Sequence, residues 1–109
     1  MGNTGPNLGT MGSQANAKNI ISVGASQNNS GTFNPDWMAS FSSRGLAGDG
    51  RVKPDVVSPG QTIYSSVTSG TQTSPNNTWA AMQGTSMATP VAAGALACIR
   101  EYFTHGTVV

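Results

Sequence analysis

The sequence predicts an α/β fold, and three stretches carry that reading. Ile20-Ile21-Ser22-Val23-Gly24-Ala25 is a short β-branched run of the kind that forms a buried strand. Residues 62–67 and 78–82 are two β-leaning runs on either side of a Ser/Thr/Asn/Pro segment, the pattern of an antiparallel hairpin. Residues 85–103 are apolar nearly all round, with Ala88, Ala92, Ala93, Gly94, Ala95 and Ala97 as small side chains, which predicts a buried central helix approached closely by other backbone.

In chain order, residues 1–18 hold four Gly and three Asn without apolar periodicity and read as an irregular loop. The strand at 20–25 follows, then a long polar loop to Pro35. Residues 37–41 read as a short extended piece. Gly45, Gly48 and Asp49-Gly50 make residues 42–53 a region of turns. Val56-Val57, stopped by Pro59-Gly60, reads as a strand end. The hairpin then delivers Gly84 to the start of the helix. No repeat or linker divides the chain, and its 109 residues suffice for one domain or part of one.

Composition excludes several classes. Only 8% of residues are charged and the net charge is +1, so there is no basic face for nucleic acid. No run approaches the ~20 apolar residues of a membrane span, and residues 1–17 are too polar for a signal peptide. Met1-Gly2 opens like a myristoylation site, but Pro6 stands where Ser or Thr is needed. Cys98 is the single cysteine, which excludes an internal disulfide and a cysteine-based zinc site; it reads as small apolar filler. Trp37 and Trp79 read as packing residues. Asn28 and Asn76 each begin a glycosylation acceptor sequence.

The stretch that carries chemistry is Gly84-Thr85-Ser86-Met87-Ala88-Thr89-Pro90. It places Ser86 in the first turn of the helix, where N–H groups lack intrahelical partners and the dipole is positive, so negative charge developing beside Ser86 Oγ is stabilised. Gly84 allows a tight approach and Ala88 leaves room beside the hydroxyl. Pro90 withholds the N–H that the Ser86 carbonyl would accept, loosening or bending the first turns. On residue chemistry alone, Thr85-Ser86 reads more readily as the N-cap of a buried helix than as a catalytic serine.

That heptapeptide resembles the nucleophile motif of the subtilisin family of serine proteases. The resemblance extends through Phe41-Ser42-Ser43-Arg44-Gly45, Lys53-Pro54-Asp55-Val56-Val57-Ser58-Pro59-Gly60 and Ile21-Ser22-Val23-Gly24-Ala25, in the family's order. It implies a subtilisin-like α/β fold: a mostly parallel sheet, a buried central helix and an antiparallel hairpin, here as an incomplete domain in which residues 1–109 are the C-terminal part. It also implies serine endopeptidase chemistry on polypeptide substrates, extracellular in the parent, with Ser86 as the nucleophile. Gly2-Asn3-Thr4-Gly5 resembles the family's oxyanion loop, which implies Asn3 as a donor beside the Ser86 N–H; by itself Asn3 is an ordinary turn residue. Removing that donor in subtilisin costs ~10²–10³ in rate, a value measured on subtilisin itself.

The first departure is mild: Ser58-Pro59-Gly60 replaces the family's Ala-Pro-Gly. The second is that residues 12–18 lack a proline found in many relatives, which leaves open the shape of the adjacent specificity-pocket wall. The third concerns the triad. The subtilisin order is Asp, His, Ser, so both partners are expected upstream of Asn3, in a missing N-terminal part of the domain. His105, 19 residues beyond Ser86, lies almost 30 Å away on a continuous helix at ~1.5 Å per residue, too far for proton transfer, and reads as a residue favoured by the helix C-terminus. The alternative is a truncated, non-catalytic fragment or binding module. The chemistry requires no cofactor. A structural calcium ion in the complete domain is compatible with the resemblance, and Asp55 matches a position near a weak cation site in some relatives, although a lone carboxylate in a solvated loop is the plainer reading. Met87 is core filler by default, and in the family context it borders the active site.

Overall fold

In the computed structural model the described residues are 1–28, 32, 34–67 and 78–106. Strand β1 (Val23–Ser26) pairs in parallel with β4 (Val56–Pro59), in register Val23 to Val56 and Ser26 to Pro59. Two short antiparallel strands, β2 (Gly45–Leu46) and β3 (Val52–Lys53), form a small ladder between them in sequence. Strands β5 (Ile63–Ser66) and β6 (Trp79–Met82) form the second antiparallel pair. Helix α1 (Thr85–His105) follows directly.

Most sequence expectations hold, with local adjustments. The hairpin at 62–67 and 78–82 is antiparallel, trimmed by a residue or so at each end. The first strand begins at Val23 rather than Ile20, and the β4 strand runs through Pro59. The opening loop contains one 3-10 turn, Ser13–Asn16. In the expected extended piece at 37–41, only Met38 pairs, in a bridge with Ser26, and residues 39–42 turn. The turn-rich stretch 42–53 holds the β2–β3 ladder, whose two-residue strands are too short to show period-two alternation.

The core forms where α1 crosses the parallel pair. Val23, Ala25, Ala39, Ala88 and Ala92 are buried together with Phe41 packed against them. Alanine dominates because helix and strands approach closely. Gly60 shows how closely: a Cβ there would stand 2.6 Å from Ala25 Cβ and 2.8 Å from the Gly84 carbonyl oxygen. Ser58 Oγ donates to the Ala88 carbonyl at 2.7 Å, fastening β4 to the first turn of the helix.

Burial of α1 on every face is not observed. Thr85, Ala88 and Ala92 are its buried residues, whereas Val91 is 44%, Ile99 52% and Phe103 79% exposed. Length explains this: 21 residues of helix extend ~31 Å, while four-residue strands span only ~13 Å, so the pair covers one side of the first turns. Cys98 therefore lies exposed, not in the core. The tryptophans are also outside the core: Trp37 is exposed, and Trp79 packs edge-on against Tyr64 on the hairpin, ring centroids 5.2 Å apart.

Candidate active site

The helix start is built by three segments that are distant in sequence. Gly84 precedes α1 with φ +151°, a conformation that favours glycine, and offers no capping side chain. Its N–H donates to the Gly60 carbonyl at 2.8 Å, and Gly60 N–H donates to the Ser26 carbonyl at 3.0 Å. The turn before the helix is thereby moored to the ends of both parallel strands.

The cap arrives from the opening loop. Asn3 Oδ1 accepts from Thr85 N–H at 2.9 Å and from Thr85 Oγ1 at 3.1 Å, while Thr85 Oγ1 accepts from Gly2 N–H at 3.2 Å. Asn3 thus satisfies one orphan donor of the helix from 82 positions away. Because Oδ1 is committed to Thr85, the Asn3 amide is oriented with Nδ2 left over. The structure brings this nitrogen and Ser86 Oγ to one place: the point where a Cβ on Gly84 would stand is 3.1 Å from each.

Met87 and Ala88 N–H groups both turn back to the Gly84 carbonyl, at 3.0 and 3.3 Å. Ser86 N–H, between Thr85 and Met87, has no hydrogen-bond partner among the described residues, and neither does Asn3 Nδ2. Two unpaired donors therefore flank an exposed serine hydroxyl at the positive end of a helix dipole, an arrangement able to hold negative charge on an oxygen close to Ser86. Met87 is half-buried, and its Sδ accepts a weak contact from Ser86 Oγ at 3.7 Å. Pro90 lies inside the helix, and Thr89 Oγ1 donates to the Thr85 carbonyl at 2.8 Å beside the interrupted turn.

His105 sits in the last turn of α1, at the far end from Ser86, with Nδ1 2.9 Å from Thr104 Oγ1. The helix is continuous between them, so this imidazole is not a base for Ser86. Asp55 is engaged by groups of this chain. Its Oδ2 accepts from Lys53 Nζ, Ser22 N–H and Ser22 Oγ, each at 2.7 Å, and the Lys53 side chain is only 3% exposed. The carboxylate is already neutralised by an ammonium group, and these contacts, the Lys53 hydrogen bond first, hold its pKa well below the usual carboxylate range. No cluster of three metal-ligating side chains occurs among the described residues. Asn28 donates its amide nitrogen to the Thr62 carbonyl at 2.8 Å, and Asn76 lies outside the described residues.

Residue chemistry marked Ser86 as a candidate while favouring a helix N-cap there, and the family resemblance assigned the roles of Ser86 and Asn3. It did not single out Thr85 as the residue that orients Asn3, or Lys53 as the partner of Asp55. Both roles depend on contacts made in three dimensions. Only the Lys53-Pro54-Asp55 proximity leaves a trace in the sequence.

A parallel pair beneath a helix whose amino end presents a serine defines a partial α/β domain of the subtilisin type. The chain belongs to the subtilase family of serine peptidases, whose model, described as Peptidase_S8, Subtilase family, matches residues 1–109. It is 41% identical over 114 residues to the serine protease AprX of Bacillus subtilis, covering 92% of this chain and 24% of that protein. It is also 41% identical over 101 residues to the subtilisin-like protease SBT6.1 of Arabidopsis thaliana, covering 86% and 8%. A C5a peptidase of Streptococcus pyogenes is 36% identical over 88 residues, covering 81% and 7%. The chain spans from 4% to 24% of the lengths of these and a similar Dictyostelium discoideum protease/transporter protein. Among the described residues no helix is long and apolar enough to cross a membrane.

Proposed function

We propose that these 109 residues are the C-terminal part of a subtilase catalytic domain that hydrolyses peptide bonds, with Ser86 as the nucleophile. Ser86 Oγ attacks the scissile carbonyl carbon, and its proton passes through a histidine base to the leaving amine. Water then releases the acyl group from Ser86. Asn3 Nδ2 and Ser86 N–H donate to the oxyanion during each tetrahedral stage. The observation that carries this reading is the pair of unpaired donors converging beside Ser86 Oγ. The names of the relatives, proteases and peptidases, agree with it, and an extracellular site of action for the parent follows from the family likeness alone.

The base and its orienting carboxylate belong to the upstream part of the domain, as in the subtilisin order Asp, His, Ser. That part is the principal partner of this chain, and polypeptides are its substrates. No cofactor enters the steps above. The competing reading, a non-catalytic fragment or binding module, draws support from the remoteness of His105.

A fluorophosphonate probe separates the two. The 109-residue chain is expected to label negligibly at Ser86, because an unassisted serine hydroxyl is a weak nucleophile at neutral pH, whereas a chain extended upstream through the Asp and His labels there. Rapid stoichiometric labelling of the short chain would show that another group activates the serine. An inert extended chain would defeat the protease reading.

A further inference from the structure

The segment around Ser43 makes contacts that the reaction scheme leaves unused. Ser42 and Ser43 are the largest fully buried side chains of the described structure. Ser42 Oγ accepts from Ala25 N–H at 3.0 Å and serves the core. Ser43 instead faces the opening loop, and it grips both neighbours of Asn3. Its N–H donates to the Gly2 carbonyl at 2.9 Å, and its Oγ accepts from Thr4 N–H at 3.1 Å.

The polarity of this network is determined. Thr4 Oγ1 donates to the Thr10 carbonyl at 2.8 Å, which commits its proton. The 3.2 Å contact between the Thr4 and Ser43 hydroxyls is then donated by Ser43. Ser43 Oγ accepts one hydrogen bond and donates another, with no freedom to rotate, and Gly2 leaves it space: a Cβ at Gly2 would stand 2.9 Å from Ser43 Oγ. A second tie, from Gly5 N–H to the Phe41 carbonyl at 2.9 Å, extends the same seam.

We infer that Ser43 is a positioning residue for the oxyanion donor: by clamping Gly2 and Thr4 it fixes the backbone from which Asn3 Nδ2 reaches the space beside Ser86. The inference rests on the roles proposed above for Asn3 and Ser86. Thr85 sets which way the Asn3 amide faces, and Ser43 sets where the amide is. Errors of about 1 Å in such a group cost up to ~10²-fold in rate.

The test uses the upstream-extended enzyme, with rates normalised to active sites titrated by the fluorophosphonate. Ser43→Ala removes the acceptor of Thr4 N–H and is expected to lower kcat roughly tenfold or more with KM unchanged, since the oxyanion contact matters mainly in the transition state. In an Asn3→Ala background the same substitution is expected to change kcat by less than about twofold, because the donor it positions is gone. An equal loss in both backgrounds, or an unchanged kcat in the first, overturns the inference.

Should Ser43→Ala fail to fold, Thr4→Val supplies the same cycle from the exposed side of the network. It keeps Thr4 N–H on Ser43 and removes the hydroxyl link, so a loss of about threefold, again absent without Asn3, is expected. Failure of the underlying reading looks different. A parent enzyme that hydrolyses peptides equally well after Ser86→Ala would remove the role of Ser86 and this inference with it, whereas wild-type activity that is lost in Ser86→Ala but insensitive to Ser43 removes this inference alone.

Discussion

Replacing Gly84 with alanine perturbs the backbone and the candidate site together. At φ +151° and ψ 163° the residue occupies a region that is essentially restricted to glycine, and forcing a side chain into it costs about 1–3 kcal/mol. The new methyl would stand 3.1 Å from both Asn3 Nδ2 and Ser86 Oγ and 3.7 Å from Met87 Sδ. Carbon contacts are comfortable at ~3.5–4.0 Å, so nucleophile and donor must each retreat by several tenths of an ångström. They would also be wedged apart at the place where the reacting oxygen has to sit. In the upstream-extended enzyme the expected result is a fall in kcat of about 10²-fold, close to the loss of an oxyanion donor, with a smaller effect on KM. The backbone strain predicts a Tm lowered by about 2–4 °C for each kcal/mol in a domain of 150–250 residues. Peptide hydrolysis and thermal unfolding of the same preparation check both. A Gly84→Ala enzyme within twofold of wild-type kcat and with unchanged Tm would refute the geometry assigned to the helix start.

Gly60→Ala probes the mooring beneath it: overpacking against Ala25 and the Gly84 carbonyl should destabilise the fold by about 1–3 kcal/mol, read as a lower urea midpoint at unchanged m-value. Mild peroxide should inactivate the extended enzyme, because the Met87 thioether lies against Ser86 Oγ, and Met87→Ala should protect it; equal sensitivity of the two proteins places the damage elsewhere. Asp55 provides a pH test. Its carboxyl pKa is depressed in the folded state, so its stabilising contribution is full above the ordinary carboxylate value near ~4 and is lost as pH falls from there through the depressed value. Asp55→Asn, which leaves the buried Lys53 ammonium without its carboxylate, should therefore unfold at lower temperature than wild type at neutral pH. That gap should narrow below about pH 4, and a gap independent of pH would show that the ion pair contributes nothing.

The sequence by itself determined the α/β class, the hairpin, the helix and the chemical character of its first turn. These are local properties: β-branched runs, turn residues and a serine placed where helical N–H groups are unpartnered are all read from neighbouring positions. The ordered motifs extended that to the family and to Asn3. Burial was less legible. An apolar helix announces that it needs cover, but how far cover extends depends on strand length and on which other parts of a domain are present, so Val91, Ile99 and Phe103 are exposed where composition suggested a core. Asp55 stays exposed, as its reading as a solvated carboxylate has it, but its ion pair with the buried Lys53 was not legible. Only the tertiary structure decided which groups meet at the helix start. Thr85 takes the Asn3 carbonyl oxygen and so frees its nitrogen, Ser43 holds the residues on either side of Asn3, and Gly60 carries the turn at Gly84. Those contacts join positions tens of residues apart, and each depends on the direction of a lone pair or an N–H, which residue type and spacing do not encode.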